Sequence, residues 1–374
     1  MLHNMSHSLR QISEQLRANP NKVQLIYAFN GAGKTRLSCD FKELIAPKIE
    51  TEEESDDSRA KILYYNAFTE DLFYWDNDLE GDTERKLKIQ PNSYTQWVLE
   101  EQGKAQVAIA HFQHYTNEKL TPRFNPDFSE VTFSFERGNE EPTEHIKISK
   151  AEESIFIWSI FYSLIEQVTE VLNVAEVPER ETDRYDLLEY IFVDDPVSSL
   201  DENHLIDLAV NLAALIKSST SGVKFIITTH NPLFYNVLHN ELNSKKCFLL
   251  NALEDGTFKL IEKQGDSNQS FSYHLHLKQT IAQAIIGNKV ERYHFMLLRN
   301  LYEKTASFLG YPRWSELLPG DKEAYYNRII QFTSHSALSN EAVADPSPQE
   351  KLTVKVLLEN LVNNYGYWQQ EVEP

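Results

Sequence analysis

The run AFNGAGKTRL (residues 28–37) closes a strand-like stretch, KVQLIYAF (22–29), and opens a helical pattern over 35–45. A glycine-rich turn between a strand and a helix is the setting that a phosphate-binding loop requires. Backbone N–H groups of Asn30, Gly31, Ala32, Gly33, Lys34 and Thr35 would cradle phosphates there, aided by the positive end of the helix. The Lys34 side chain would reach the β and γ oxygens of a nucleoside triphosphate, and the Thr35 hydroxyl would ligate Mg²⁺. Ala28 stands where the pattern has its first glycine. Alone, such a run is also an ordinary turn. The constraint on the chain comes from the ordered series that follows it.

IFVDDP (191–196) ends a second strand in two carboxylates. Asp194 would hold Mg²⁺ through water, and Asp195 resembles in position the glutamate by which ABC ATPases usually activate the attacking water. VSSLD follows at once and adds Asp201 to the nucleotide-contacting set. FIITTH (225–230) then ends a third strand at His230, a candidate switch residue for the γ-phosphate. The series resembles the heads of ABC ATPases, in particular the soluble SMC-like branch, across residues 23–262. That resemblance implies ATP or GTP with Mg²⁺, sandwiched between two subunits, so the active form is expected to be a dimer or larger. Such heads carry a signature motif before a helix, and the matching stretch is ISKAEES (148–154). Ser149 and Glu152 fit it, whereas Lys150 and Ala151 replace its usual two glycines.

Strand-like runs rich in branched and aromatic residues recur at 61–68, 131–136, 145–149, 190–195, 224–230, 247–252 and 258–262, with helical patterns at 151–173, 202–217 and 232–241 between them. Alternation of this kind predicts an α/β sheet covered by helices. After about residue 263 the strand signal stops, and 272–310, 321–334 and 349–364 read as helices. The expected domains are a helical extension at 1–21, an ABC-type ATPase domain at 22–263 with an acidic and aromatic insert over 69–130, and a helical domain at 264–374. Only 79 residues separate Phe68 from Ile148, without sustained heptads, so a DNA-tethering coiled coil is not expected.

The net charge of −20 argues against a polyanion partner until its distribution is considered. Residues 264–340 carry 8 Lys+Arg and 6 Asp+Glu, so the acid sits on the ATPase portion and the helical region is free to meet RNA. The longest nearly apolar run, SIFIWSIFYSLI (154–165), is shorter than a membrane span, and the first residues lack a signal peptide's apolar core. With two cysteines, Cys39 and Cys247, and no zinc spacing, a cytoplasmic chain with no membrane partner is expected.

In ERYHFMLLRNLYEKTASFLG (291–310), Arg299 and Glu303 lie four apart and share one helix face. By itself that is an ordinary surface ion pair. Arg328 and His335 lie seven apart in RIIQFTSHSALSNEA, the Arg-x6-His spacing of HEPN ribonucleases. An arginine, a carboxylate and a histidine are what metal-free RNA cleavage needs: a base for the 2′-OH, an acid for the leaving oxygen, and a cation for the pentavalent phosphate.

With Arg299, Glu303 and His335 placed beside the ATPase motifs, and with YNAFTEDLFYWDNDL, GDSNQSFSYHLHLKQT and LLRNLYEKTASFLGYPRW, nearly the whole chain resembles the PrrC family of bacterial anticodon nucleases. The resemblance implies an α/β ABC-ATPase head of the SMC-like branch followed by an all-α HEPN-like nuclease domain. It also implies cleavage of a lysine tRNA beside the wobble base, leaving 2′,3′-cyclic phosphate and 5′-OH ends, with Arg299, Glu303 and His335 catalytic. It places Asp266 where the family reads the modified wobble uridine, adds dTTP as an activating ligand, and makes a type I restriction–modification complex the partner that holds the toxin latent until phage attack. Two other readings remain open: a sensor ATPase subunit that controls a separate effector, and an SMC-like DNA-repair ATPase.

Overall fold

The structure is a computed structural model that describes residues 6–47, 61–78, 80–81, 83–138, 140–196, 202–243, 247–253, 255–263, 273–333 and 346–367. The chain divides into two compact units, Met1–Ser270 and Phe271–Pro374. In chain order the first unit contains α1 (Leu9–Ala18), β1 (Val23–Ala28), α2 (Lys34–Ile45), β2 (Ile62–Tyr65), β3 (Phe73–Asp76), β4 (Lys86–Ile89) and α3 (Ala105–Tyr115). There follow β5 (Leu120–Phe124), β6 (Glu130–Arg137), β7 (Glu140–Thr143), α4 (Lys150–Asn173), β8 (Tyr190–Asp194), α5 (Glu202–Ser218), β9 (Lys224–Thr229), α6 (Pro232–Leu242), β10 (Cys247–Ala252) and β11 (Phe258–Lys263). The second unit contains α7 (Tyr273–Ile286), α8 (Arg292–Leu309), α9 (Lys322–Thr333) and α10 (Pro348–Asn364).

Six strands form one sheet in the order β11-β10-β1-β9-β8-β2. All its pairs are parallel except the antiparallel β10–β11 edge. Parallel strands covered on both faces need near-continuous apolar runs, and β1 and β9 supply them: Leu25, Ile26, Tyr27, Ala28, Phe225, Ile226 and Ile227 are all buried. The buried Gln24 amide in β1 donates to the Leu16 carbonyl at 2.9 Å. Helix α1 starts in a capping box, Ser8 with Gln11, and its Leu9, Ile12 and Leu16 join the core around Phe41, Phe192 and Ile226. Helix α1 is thereby packed into the first unit's core.

The acidic and aromatic insert folds. Together with the two strands that follow it, it makes a second sheet, β3-β4-β6-β5 with β7 on β6, in which every pair is antiparallel. Phe112 of α3 meets Phe156 of α4 edge-on at 5.5 Å between ring centroids, so this sheet and its helix rest on α4. Helix α4 is long and apolar enough to cross a membrane, but 89% of its most apolar window is buried inside the protein. It is a core helix.

Two expectations need correction. HIKIS (145–149) is not a strand; Ile146 donates to the Phe133 carbonyl, Ile148 is buried, and Ser149 already serves as the N-cap of α4. The span 272–310 is two helices, broken where Asn288 takes a left-handed φ of 52° and where Glu291 begins α8 with its N–H donating to His294 Nδ1 at 2.9 Å. The described part of the second unit is helical, around a core that includes Leu277, Phe295, Leu298, Tyr302, Ile329, Val354, Leu357 and Leu361. The spacing of Phe295, Leu298 and Tyr302 is the apolar stripe of an amphipathic helix.

Candidate functional site

Parallel register brings the motifs to one edge of the main sheet. Tyr27 of β1 lies opposite Thr229 of β9, Asp194 of β8 opposite Thr228, and Tyr65 of β2 opposite Val193. The carboxyl ends of four strands therefore stop together, which is where open α/β sheets bind their ligands. The loop after β1 turns through Gly31 at φ 79° and Gly33 at φ 89° before α2 begins. Gly33 is confined twice: its φ is left-handed, and a Cβ there would lie 2.9 Å from Phe258 Cε1.

Lys34 is buried, and its Nζ donates to the carbonyls of Ala28 and Phe29 at 3.3 Å each and to Asn30 Oδ1 at 3.4 Å. It also lies 3.5 Å from Asp195 Oδ2. Thr35 Oγ1 donates to Asp194 Oδ2 at 2.8 Å, and Thr228 Oγ1 donates to the other oxygen of the same carboxylate. Burial pushes the Asp194 carboxyl above its ordinary range, against the opposing pull of the Thr228 and Thr35 hydroxyls. Asp195 leaves the strand with a left-handed φ of 53°, a conformation that aspartate tolerates better than most residues. Its carboxylate meets His230 Nδ1 at 2.5 Å and accepts from the His230 N–H at 3.3 Å. Burial alone would raise Asp195; the His230 hydrogen bond and charge, followed by the charge of Lys34, outweigh it and hold the carboxyl below the ordinary range.

Thus Lys34, Thr35, Asp194, Asp195 and His230 form one cluster, with Asn30 on the lysine and Gly31, Ala32 and Gly33 completing the loop that leads to it. A hydroxyl and a carboxylate converging from Thr35 and Asp194 are hard oxygen ligands of the kind that would hold Mg²⁺. Among the described residues no group of three or more histidine, cysteine, aspartate and glutamate side chains is set to hold a metal ion by itself.

Ser149 and Glu152 meet each other as a capping box. Glu152 N donates to Ser149 Oγ at 3.2 Å, and Ser149 N to Glu152 Oε2 at 2.7 Å. The exposed Lys150 pairs with Glu153 at 2.6 Å, and Glu153 also accepts from Trp75 Nε1 at 2.9 Å. Asp201 and Asp266 lie outside the described residues.

In the second unit, Arg299 Nε donates to Glu303 Oε1 at 2.7 Å on α8, with both side chains partly exposed. Arg328 on α9 donates to Thr353 Oγ1 of α10 at 2.9 Å. His335 lies outside the described residues, so the structure brings together only Arg299 and Glu303 of the expected nuclease triad.

Sequence reasoning missed three contributors. Thr228 and Thr229 hold the two aspartates, Thr229 Oγ1 donating to Asp195 Oδ1 at 3.3 Å; the paired threonines just before His230 were the available signal. Glu70 accepts from Tyr65 Oη at 2.8 Å. Burial raises its carboxyl, and the charges of Lys150 and Asp195 both reach it. Nothing in its sequence neighbourhood marks it.

Over 367 residues the chain is 67% identical to an anticodon nuclease of Escherichia coli, a match that takes in 96% of this chain and 92% of the relative. Among solved structures, the SMC head domain from Thermotoga maritima is 11% identical and is matched over 65% of this chain and 91% of that one, with a TM-score of 0.29. An Smc head domain with an extended coiled coil from Pyrococcus furiosus is 13% identical over 50% of this chain and 38% of that one, with a TM-score of 0.27. Likeness that distant carries no argument. No family model matches the sequence.

Proposed function

The chain belongs to the anticodon nuclease family, and from that premise we propose that it is an endoribonuclease of the tRNA anticodon loop, gated by nucleotide turnover on an ABC-type ATPase head. The observation that carries this reading is the 67% identity to the Escherichia coli anticodon nuclease over 96% of the chain, a span that takes in both units. It favours a nuclease over a sensor subunit that controls a separate effector.

In the first unit, Lys34 and the N-terminus of α2 bind the β and γ phosphates of ATP or GTP. Thr35 and Asp194 hold Mg²⁺, which when bound neutralises charge developing on the phosphate oxygens. Asp195 accepts the proton of the attacking water, and His230, its 2.5 Å neighbour, orients that carboxylate and stands as the switch residue for the γ-phosphate. Ser149 and Glu152 face nucleotide across a dimer of heads, and Asp201 adds a further nucleotide contact.

In the second unit, taken as HEPN-like, Arg299 stabilises the pentavalent phosphate while Glu303 and His335 divide the acid and base roles, with Arg328 a further cation. The 2′-oxygen bonds to phosphorus as its proton leaves to the base. The bond from phosphorus to the 5′ oxygen breaks as the acid protonates that oxygen. The products are a 2′,3′-cyclic phosphate and a 5′-OH, and no metal is required. The substrate is a lysine tRNA cut beside its wobble base, with Asp266 reading the modified uridine. The toxin is held latent by a type I restriction–modification complex, dTTP activates it, and it works in the cytoplasm.

The test is cleavage of a lysine tRNA anticodon stem-loop by the purified protein with nucleotide and Mg²⁺, with the ends mapped, followed by addition of EDTA once the head is active. Cleavage at the wobble position with cyclic-phosphate ends, persisting in EDTA, is expected. Equal cleavage of an oligonucleotide carrying a single 2′-deoxy at the scissile position refutes the mechanism, because no nucleophile remains there.

A further inference from the structure

The phosphate loop borders a cavity that the hydrolytic chemistry leaves unused. It has a volume of about 660 Å³ and is lined by Arg10, Thr35, Arg36, Asp40, Phe68 and Phe258 among others. The size falls within the range of small-molecule sites. Thr35 belongs both to the magnesium pair and to this wall, so the cavity begins where the phosphate site ends. Its other walls come from distant parts of the chain. Arg10 is on α1, and Phe258 starts β11, where its backbone pairs with His7.

Three features describe what would fit there. First, the walls are aromatic and cationic. Phe68 is 56% exposed, a high value for a phenylalanine, and the Arg36 guanidinium lies 5.6 Å from the Phe258 ring centroid. Aromatic rings and guanidinium planes stack on flat heterocycles. Second, Phe258 presses on the phosphate loop itself, leaving no room for a Cβ at Gly33. A group bound against this wall is thus tied to the conformation of the loop. Third, the Asp40 side chain is part of the same wall and sets a carboxylate acceptor beside the two arginines.

We propose that this cavity is the nucleobase subsite of the nucleotide whose phosphates sit in the Asn30–Thr35 loop, with Phe68 stacking on the base and Asp40 accepting from its N–H edge. The inference rests on the nucleotide-binding reading given above and adds the residues that select the base. Phosphates pinned at the start of α2 leave the nucleoside to extend past Thr35, and this cavity is what it meets. The subsite also explains why α1 and β11, which carry no phosphate chemistry, close around the loop.

The test measures binding of Mg-GTP, Mg-ATP and inorganic tripolyphosphate to the full chain by titration calorimetry. Phe68→Ala removes an exposed ring and should fold; it is expected to weaken both nucleotides about tenfold and leave tripolyphosphate unchanged. Asp40→Asn keeps the side-chain shape and is expected to shift the ratio of GTP to ATP affinity by about tenfold, because those bases present different donors. Unchanged nucleotide binding in both variants overturns the proposal, as does a parallel loss of tripolyphosphate. So does wild-type protein that binds nucleotides no more tightly than tripolyphosphate. If wild-type protein binds neither nucleotide nor tripolyphosphate, and Lys34→Ala changes nothing, it is the phosphate-loop reading that has failed, and the subsite falls with it.

Discussion

Replacing Asp195 separates chemistry from folding, because the structure assigns the two effects different sizes. Asparagine keeps the shape of the side chain and tolerates the left-handed φ of 53°. It can still accept from the His230 N–H but carries no charge. Lys34 keeps three other acceptors, the carbonyls of Ala28 and Phe29 and the Asn30 amide oxygen. The folding cost of Asp195→Asn is therefore expected to be about 1 kcal/mol, well below the ~3–5 kcal/mol of a buried charge left unpaired. Hydrolysis should fall roughly 10²–10⁴-fold, the usual effect of removing a general base. Asp195→Ala should lose hydrolysis to the same degree and be a further ~1–2 kcal/mol less stable, the cost of an ordinary residue in left-handed backbone. Urea unfolding measures the stabilities, and single-turnover hydrolysis with separately measured nucleotide affinity measures the chemistry. Wild-type turnover per bound nucleotide in Asp195→Asn, or an alanine variant as stable as the asparagine variant, would refute the reasoning.

Other perturbations test neighbouring steps. Lys34→Ala removes the cation that the motif aims at the phosphates, and nucleotide hydrolysis should fall to background in a phosphate-release assay. His335→Ala should stop stem-loop cleavage, by about 10²–10⁴-fold, while nucleotide hydrolysis survives; a variant with full nuclease activity removes His335 from the mechanism. Ser149→Ala breaks the capping box of α4 and should cost about 1 kcal/mol in thermal unfolding. Because His230 and Lys34 hold Asp195 below its ordinary range, its contribution to stability is full above the unfolded value of about 3.9 and is lost as pH falls through the lower folded value. The stability gap between wild type and Asp195→Asn should accordingly narrow on acidification below about pH 4, as read from urea midpoints.

The parallel sheet and the motif cluster were legible before any coordinates, because both are local. A strand followed by a glycine turn and a helix places Lys34 and Thr35 without help from the rest of the chain, and apolar runs such as KFIITT suit only a strand covered on both faces. The Arg299–Glu303 pair was legible for the same reason, since i,i+4 spacing on a helix is contact. Tertiary structure decided what depended on partners distant in sequence. HIKIS alternates as a strand does, yet only Ile146 bonds to β6, no ladder forms, and the segment ends as the cap of α4. Ser149 and Glu152 satisfy a signature pattern, and the coordinates show them satisfying each other. The acidic insert had no period to reveal β3, β4 and β5, which pair with the legible strand at 131–136 into a second sheet. Thr228 reaches Asp194 across 34 residues, and Phe258 backs Gly33 from the far end of the unit. Backbone propensity and periodicity are written into a few neighbouring residues, whereas the partner of a buried carboxylate or a loop glycine is set by strand register, which exists only once the sheet has formed.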